Sequence, residues 1–389
     1  MLIDISVGSR FHAFDLAREL DQRRAMRTLY TGYQAFSASR FGLRSGILRS
    51  VWTHEPLNRL FWRLRAAGIL RDSRDARLSA RFDRIVARRL KPGADIFIGW
   101  SSQCRHSLGR AKDLGMKTIV ERGSSHVLWQ HRILAEEQAL TGLPAELPSS
   151  ATIEQELAEY AAADFIAVPT HFAARTFTEH GLSAAKLLVN PYGVDTGRFA
   201  GVERFLANGM RVLHVGRCSM RKGIHHLIEA TRLVANAHLT MVGGIDPGMG
   251  AHLKQRHTTV VGPVSGNNLP TYYADADVFC LLSLEEGLAL VIAQAMASGL
   301  PVIVTPNTGG EELVTDGVEG FVVPIRSPAV VAERLCWLRD NPAQRLAMGR
   351  RARERIQAGF SWSDYGDRAL SNYRHVLSKR EAGGGANCG

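Results

Sequence analysis

Residues 283–305, SLEEGLALVIAQAMASGLPVIVT, decide the fold of the second half of this chain. Their pattern predicts the end of a strand, then a turn that contains a carboxylate and a glycine. A helix that ends at a glycine and another strand follow. Glu286 lies just before the predicted helix, and Gln294 lies about two turns further along, at 3.6 residues per turn. Both side chains can therefore face one ligand, held over the positive N-terminus of that helix. A ligand rich in hydroxyls, with an anion nearby, fits this arrangement.

Length and composition limit the class of protein to which the chain can belong. At 389 residues the chain is longer than one domain with a single hydrophobic core usually is, so two domains are expected. Its 45% apolar and 22% charged residues are typical of a globular protein. Asp4 stands where a signal peptide has basic residues, and no apolar run reaches the roughly 20 residues of a membrane span. The five cysteines are scattered without metal-ligand spacing, so we expect a cytoplasmic protein with reduced cysteines.

Short β-branched runs alternate with helical stretches, which predicts an α/β fold with two doubly wound, mainly parallel sheets. In the second half, strands are predicted at 212–216, 238–242, 258–261, 277–282, 301–304 and 320–323. In the first half, strands are predicted at 2–7, 26–30, 95–100, 118–121 and 164–168. We expect a first domain at 1–200, a second at 201–359, a hinge near 195–208 and a disordered tail at 381–389.

A basic segment at about residues 40–91 separates the second and third predicted strands, and we expect a long, mostly helical insertion there. Twelve arginines lie between Arg40 and Lys91 against four acids, with bulky apolar residues such as Trp52 and Phe61 between them. This mixture suits an anionic membrane surface, and no nucleic-acid-binding motif accompanies it. A solvated helical face above core aromatics explains the same pattern, so both interpretations stay open.

Two doubly wound domains place a ligand in the cleft between them, beyond the carboxyl ends of the strands. Arg217 directly follows the strand at 212–216, and Lys222 opens the next helix. Two cations beside free backbone N–H groups can bind a diphosphate and stabilise it as a leaving group. Two surface cations near a turn are the alternative, and the position after a strand favours the binding interpretation.

Glu286 with the residues that follow it, and a histidine of the first half, are further candidates for ligand contacts. Glu286 would accept hydrogen bonds from ligand hydroxyls, and a capping carboxylate is the alternative. His126 follows the strand at 118–121 and could contact the ligand across the cleft, although a lone histidine is more often structural. Backbone N–H groups that would donate to ligand oxygens belong to Gly287, Leu288, Ala289 and Leu290.

Two other patterns carry weaker signals. Asp275 and Asp277 look like a metal-binding pair, but they precede their predicted strand and so lie at the amino edge of the sheet, away from the ligand. His225 and His226 are neighbours on a predicted helix, where adjacent side chains face different directions. We therefore expect neither pair to hold a ligand, and no metal site.

The second half resembles the retaining glycosyltransferases of family four, which have the GT-B fold. The family's interdomain segment is similar to NPYGVD at 190–195, followed by Phe199. Roughly residues 154–365 are covered. The motifs appear in order as VGR at 215–217, KG at 222–223, ADVF at 276–279, EG at 286–287, AMA at 295–297, GLPVI at 299–303 and GGEE at 309–312.

This resemblance implies a nucleotide-sugar donor, UDP- or GDP-linked, and assigns roles to the candidates. Arg217 and Lys222 would hold the donor diphosphate, Glu286 would bind the transferred sugar, and position 294 would bind the ribose. The backbone near Val264 would contact the base. The family is also described as metal-independent and free of other cofactors, with the acceptor hydroxyl attacking on the face of the leaving group.

In the first half, the resemblance matches His126 to a histidine that contacts the donor sugar. It also implies that a helix at about 360–380 returns to the first domain. Two positions depart from the family's pattern. Gln294 replaces the usual Glu, which removes a negative charge but keeps a hydrogen-bond acceptor. The loop at 7–12 lacks paired glycines, which weakens the expectation of a phosphate contact near Gly8.

The sequence therefore predicts a glycosyltransferase that moves a sugar from a nucleotide-sugar donor to a polysaccharide, lipopolysaccharide or lipid-linked acceptor with retention. We expect it to be cytoplasmic and peripheral on the inner face of the cytoplasmic membrane, without a nucleic-acid partner. A nucleotide-sugar epimerase of the same fold is one alternative. A catalytically silent nucleotide-sugar-binding module is the other.

Overall fold

The computed structural model describes residues 1–9, 11–34, 41–44, 46–66, 74–199 and 209–382. Parts of the predicted insertion, of the predicted hinge and of the predicted tail (67–73, 200–208 and 383–389) lie outside the described residues. The described strands are β1 (Ile3–Val7), β2 (Met26–Thr31), β3 (Leu48–Ser50), β4 (Ile96–Trp100), β5 (Lys117–Glu121), β6 (Phe165–Val168), β7 (Leu187–Val189), β8 (Met210–Val215), β9 (Ala237–Val242), β10 (Thr258–Gly262), β11 (Val278–Leu281), β12 (Val302–Val304) and β13 (Gly320–Val322).

Helices connect these strands and cover both faces of the sheets. They are α1 (Ala13–Gln22), α2 (His54–Ala66), α3 (Arg74–Arg89), α4 (Arg105–Asp113), α5 (Val127–Thr141), α6 (Ser150–Ala162), α7 (His171–Thr178), α8 (Ile224–Arg232), α9 (Gly250–Leu253), α10 (Leu269–Ala274), α11 (Leu290–Ala297), α12 (Pro328–Asp340), α13 (Pro342–Gln357) and α14 (Trp362–Ala382). Within the described ranges, no helix is long and apolar enough to cross a bilayer.

The described strands form two separate sheets. The first has the order β3-β2-β1-β4-β5-β6-β7 and the second the order β10-β9-β8-β11-β12-β13. Every paired strand is parallel to its neighbour. Central strands such as β1, β4 and β11 are buried along their whole length because helices cover both faces. The predicted pair of doubly wound, Rossmann-like domains is confirmed.

All eleven predicted strands overlap observed strands, and two observed strands were missed. β3 and β7 have only three residues each, too few to show a periodic pattern, and they lie at the two edges of the first sheet. The prediction of a long, mostly helical insertion at about residues 40–91 was incomplete. Besides α2 and α3, this segment contributes β3, which extends the sheet through its pairing with β2.

Two helices cross between the halves of the molecule. The C-terminal helix α14 packs on α1, where Arg23 Nε donates to Asp367 Oδ1 at 2.8 Å. Helix α5 of the first domain places Trp129 and Ile133 in the apolar cluster of the second domain, with Leu227 of α8. The carboxyl ends of the two sheets are thereby held against each other.

Candidate functional site

The loop between β8 and α8 brings its cations to the carboxyl edge of the second sheet. Gly223 adopts a φ of +63°, and a Cβ there would lie 2.1 Å from the backbone oxygen of Leu282. Only glycine allows this close approach, which seats the start of α8 beside the end of β11. Lys222 therefore points toward the segment that follows β11.

Lys222 and Glu286 meet directly at this edge. The Nζ atom of Lys222 forms an ion pair with Oε1 of Glu286, and Nη2 of Arg221 lies 3.7 Å from Oε2 of the same carboxylate. The backbone N–H of Glu286 donates to the carbonyl of Asn307 at 2.8 Å, which fixes the carboxylate over the turn before α11. The structure thus brings the predicted diphosphate and sugar contacts together.

Arg217 lies on the same loop and is half exposed. Its Nη1 atom is 2.9 Å from Oδ1 of Asp246 and 3.9 Å from Oε2 of Glu146 in the first domain. Burial raises the pKa of Asp246, and the nearby guanidinium of Arg217 opposes that rise. The guanidinium is therefore held where the two domains face each other.

Glu285 is a residue of the candidate site that the sequence reasoning missed. It is fully buried, and its Oε1 accepts hydrogen bonds from Ser124 Oγ at 2.5 Å, Ser125 N at 2.9 Å and Ser125 Oγ at 2.7 Å. Its Oε2 lies 2.9 Å from Arg221 Nε. Burial alone would raise the pKa of Glu285, but Arg221 and the serine hydrogen bonds outweigh it and lower the pKa.

The contacts of Glu285 join the domains, because both serines belong to the loop after β5. The sequence shows two adjacent acids, Glu285 and Glu286. Only Glu286, which belongs to the family motif, was assigned a role from the sequence. No pattern in a single segment could indicate a partner about 160 positions away. Glu285 holds the two domains together beside the site.

Gly287 is packed against the first domain at the same place. A Cβ on Gly287 would lie 2.3 Å from the backbone oxygen of Gly123 and 2.5 Å from its carbonyl carbon. The carbonyl of Gly287 also accepts a hydrogen bond from Thr170 Oγ1 at 3.0 Å. Leu288 and Ala289 are buried directly before α11. These predicted N–H donors therefore lie where the two domains touch.

Leu290 and Gln294 line a cavity of about 570 Å³. Its other lining residues come from α1, from residues 193–199 and from the start of α14, where Trp362 lies. Oε1 of Gln294 accepts a hydrogen bond from the hydroxyl of Tyr273 at 3.0 Å, which orients the amide. Val264 is half-buried on the loop after β10 and packs against the same apolar cluster as Leu290.

The expectation that His126 faces the ligand is wrong in this structure. Its ring is 1% exposed, stacks on His180 at 4.3 Å and lies edge-on to Phe177 at 5.0 Å inside the first domain. Its Nδ1 atom accepts from the backbone N–H of Leu128 and so caps α5. Burial, together with His180 and Arg122, lowers the pKa of His126 to about 3. The ring is a neutral core group.

Gly8 lies at the expected end of β1, but its N–H group is engaged. It donates to Oε1 of Gln103 at 2.7 Å, and a Cβ on Gly8 would lie 2.6 Å from that oxygen and from Nε2 of His54. The backbone at Gly8 is thus enclosed by side chains of its own domain. This geometry weakens the expectation of a phosphate contact there.

A second cavity, of about 470 Å³, opens on the first-domain side of the same edge. Its lining includes His12, Trp100, Arg122 and Tyr192, and Arg221 joins it from the second domain. The imidazole of His12 lies tilted against the ring of Tyr192, with the ring centroids 4.0 Å apart, and its Nε2 lies 3.0 Å from Oε1 of Glu121. These residues come from separate loops, so the sequence reasoning missed them.

The Asp275 and Asp277 pair behaves as expected of residues at the amino edge. Asp277 accepts from the backbone N–H of Arg211 at 2.9 Å and from its side-chain Nε at 3.0 Å, and Arg345 lies 3.5 Å away. Asp275 is exposed and accepts from Arg211 as well. Both carboxylates stabilise the start of β8 and are paired with arginine.

Comparison with known proteins identifies the second domain. Residues 209–341 match the family model described as glycosyl transferases group 1. The match covers 133 of the 389 residues, so the likeness to this family concerns the second domain. A GDP-mannose-dependent alpha-(1-6)-phosphatidylinositol monomannoside mannosyltransferase from Mycobacterium tuberculosis is 32% identical to the chain over 210 residues, which are 46% of this chain and 53% of that protein. The chain spans 48–62% of the length of three curated relatives that it matches.

Solved structures of GT-B glycosyltransferases have the same fold as this chain. Sucrose-phosphate synthase from Thermosynechococcus elongatus has a TM-score of 0.74 at 20% identity, over 97% of this chain and 100% of that one. HepE from Anabaena, in complex with UDP and glucose, has a TM-score of 0.67 at 15% identity, over 96% and 100%. At these identities the likeness concerns the fold, and the predicted GT-B fold is confirmed.

Proposed function

We propose that this protein transfers a sugar from a nucleotide-sugar donor to a glycan or lipid-linked acceptor with retention of anomeric configuration. The observation that carries the proposal is the meeting of Lys222 and Glu286 at the carboxyl edge of the second sheet, facing the first domain. A cation and a carboxylate side by side match the phosphate end and the hydroxyl-rich end of one donor. The likeness of residues 209–341 to the glycosyl transferases group 1 supports the same activity.

In this proposal each side chain has a separate task. Arg217 and Lys222 bind the donor diphosphate and stabilise the negative charge that grows on it as the sugar leaves. Glu286 accepts hydrogen bonds from the sugar hydroxyls and orients the ring. Gln294 accepts or donates to the ribose hydroxyls from its position in the cavity of about 570 Å³. No protein nucleophile or metal ion takes part.

The cavity of about 470 Å³ is our candidate for the acceptor site. It lies in the first domain and reaches the donor side through Arg221 and Ser124. Aromatic faces such as Trp100 and Tyr192, set among hydroxyl and amide groups, suit the mixed apolar and polar faces of a sugar. A polysaccharide, lipopolysaccharide or glycolipid headgroup has this chemistry.

The names of similar proteins support both UDP-linked and GDP-linked sugars as donors. The Mycobacterium tuberculosis relative is named as GDP-mannose-dependent, and the Anabaena structure contains UDP and glucose. We therefore keep UDP- and GDP-sugars as the donor classes for this chain. The acceptor of the Mycobacterium protein is a phosphatidylinositol monomannoside by its name, which favours testing lipid-linked acceptors first.

A surface of the first domain supports binding to an anionic membrane. Trp52 is 63% exposed and Leu60 is 53% exposed, and Leu57 is also exposed. Arg59 and Arg63 of α2 are exposed among them. Exposed apolar side chains interleaved with arginines are the composition of a helix that lies in a lipid headgroup region.

Sedimentation with vesicles tests the membrane proposal. We expect binding to vesicles that contain phosphatidylglycerol at low salt, weaker binding at high salt and little binding to neutral vesicles. Trp52→Ser combined with Leu60→Ser should weaken binding, whereas Leu233→Ser, at a similarly exposed leucine of the second domain, should not. Failure to sediment with anionic vesicles at low salt would reject the proposal.

A thermal-shift screen with product analysis tests the transfer activity. A panel of UDP- and GDP-sugars should contain a donor that raises the melting temperature of the protein, because a specific ligand stabilises the fold. That donor should then be consumed only when an acceptor is present, with one glycosylated product formed. Consumption without an acceptor product would indicate an epimerase-like enzyme, and binding without consumption would indicate a silent module.

A further inference from the structure

Glu137, His225 and His226 form a cluster between the two domains, which we call the interdomain triad. Nε2 of His225 lies 2.6 Å and Nε2 of His226 lies 2.9 Å from the same carboxylate oxygen, Oε1 of Glu137. The expectation that the two histidines face different directions was wrong. They lie in the first turn of α8, their ring centroids are 4.0 Å apart, and both rings turn toward α5.

The ligand atoms of the triad match a transition-metal site. Two imidazole nitrogens and one carboxylate oxygen lie within 4.8 Å of one another. Zn²⁺ binds these atoms at about 2.0–2.2 Å, which places tetrahedral ligand atoms about 3.3–3.5 Å apart. The two Nε2 atoms lie 2.6 and 2.9 Å from Oε1 of Glu137, so side-chain movements of less than about 1 Å would bring these distances to the tetrahedral values. Three protein ligands leave a fourth position for water.

The surroundings of the triad orient its carboxylate. The second oxygen of Glu137 accepts a hydrogen bond from Nε of Arg326, so the oxygen shared by the histidines is fixed in place. Metal-bound carboxylates are commonly held by such an outer hydrogen bond. Burial raises the pKa of Glu137, but the hydrogen bonds from His225, His226 and Arg326 outweigh it and keep the carboxylate ionised.

An ion can also reach the triad. Glu137 is fully buried, whereas the side chains of His225 and His226 keep 14% and 13% exposure at the surface of the junction. None of the three residues lines the two cavities assigned to donor and acceptor. The triad is therefore independent of the proposed sugar-transfer chemistry.

We propose that Glu137, His225 and His226 bind one divalent transition-metal ion of the zinc class between the domains. Glu137 belongs to the first domain and both histidines to the second. A bound ion would therefore join α5 to α8 and hold the two domains in the closed arrangement. Its function is structural and regulatory, because an ion that fixes closure slows any step that needs the cleft to open.

Zinc titration of the full chain tests this site. The protein is first freed of metal with a chelator, and Zn²⁺ is then added in competition with a chromophoric zinc indicator. We expect one tight equivalent in the wild type and a loss of at least about 10-fold in affinity for Glu137→Gln and for His225→Ala combined with His226→Ala. The matched control, His252→Ala combined with His257→Ala, removes two exposed histidines of the same domain and should bind as the wild type does.

A second measurement needs no variant. Addition of Co²⁺ to the metal-free wild type should produce the visible absorption of a four-coordinate site, and Zn²⁺ should displace it. The proposal is overturned if the wild type competes with the indicator no better than the double variant. It is equally overturned if the Co²⁺ spectrum stays that of the free ion. Neither result would bear on the transfer activity, which is measured without metal.

Discussion

The carboxylate of Glu285, in the second domain, accepts a 2.9 Å hydrogen bond from the backbone N–H of Ser125, in the first domain. The next residue, Glu286, is ion-paired with Lys222 and is the proposed sugar contact. The two adjacent carboxylates share Arg221 but differ in their other partners, since Glu285 contacts the first domain and Glu286 pairs with Lys222. We therefore expect domain closure and donor binding to be coupled through this dipeptide.

Glu285→Ala should loosen the closed arrangement. The change leaves Arg221 and the Ser124 and Ser125 hydroxyls without their shared partner, at a cost of about 1–3 kcal/mol. We expect a lower melting temperature and a larger radius of gyration by small-angle X-ray scattering. Glu333→Ala, at an exposed carboxylate of α12, serves as the control. An unchanged radius together with an unchanged melting temperature would contradict the assigned contact.

Gly287→Ala should block closure without unfolding either domain. The new Cβ would lie 2.3 Å from the backbone oxygen of Gly123, and backbone cannot move aside as a flexible side chain does. We expect transfer activity to fall at least about 100-fold while the far-ultraviolet circular dichroism spectrum is retained. Gly250→Ala, where a Cβ meets nothing within 4 Å, should keep activity. Equal turnover in the two variants would contradict the close approach at Gly287.

Gln294→Ala should weaken donor binding through the ribose. Loss of its hydrogen bonds is expected to cost about 0.5–1.5 kcal/mol, or roughly 2- to 10-fold in Kd. Pyrophosphate lacks a ribose, so its affinity should stay within about 2-fold. Gln294→Glu keeps the acceptor for the Tyr273 hydroxyl and should retain most of the nucleotide-sugar affinity. Calorimetric titration checks all three values, and equal losses for pyrophosphate and nucleotide sugar in the alanine variant would argue against a ribose contact.

His126 should make the fold less stable in mild acid. Burial lowers its pKa to about 3 in the folded chain, whereas the unfolded histidine has a pKa of about 6.5. Between these values the unfolded state binds the extra proton, so stability falls as the pH falls below about 6.5. At pH 5 this loss is about 2 kcal/mol.

His126→Asn tests that pH dependence, because asparagine also caps helices but does not titrate. The melting temperature of the wild type should fall more steeply between pH 7 and pH 5 than that of the variant. Activity at pH 7 should be little changed, since the ring lies inside the first domain. Parallel melting curves for the two proteins across this pH range would show that His126 does not titrate as described.

Much of the fold was predictable because it depends on local patterns. Strands β11 and β12 of the second domain are continuous apolar runs, and the helix after Glu286 has clear start and stop signals. The three-residue edge strands β3 and β7 were not predictable, because their pairing depends on neighbours distant in the chain.

The site was predictable where a motif lies in one segment, as for Lys222 and Glu286. It was not predictable where two domains meet. Glu285 looked like an ordinary neighbour of Glu286 until Ser124 and Ser125 were placed beside it. His126 has the expected position along the chain, but only the packing of His180 and Phe177 reveals that its ring is enclosed. His225 and His226 likewise gain a common partner only from α5.

Calorimetric titration of Arg217→Ala and Lys222→Ala with the donor found in the screen tests the central claim most directly. Each variant loses charge-assisted hydrogen bonds to the diphosphate, worth about 1.5–3 kcal/mol, so Kd should rise roughly 10- to 150-fold. Lys254→Ala, at an exposed lysine of the same domain, should bind as the wild type does. If Arg217→Ala and Lys222→Ala are folded and bind the nucleotide sugar with the wild-type Kd, the donor does not occupy this edge of the second sheet.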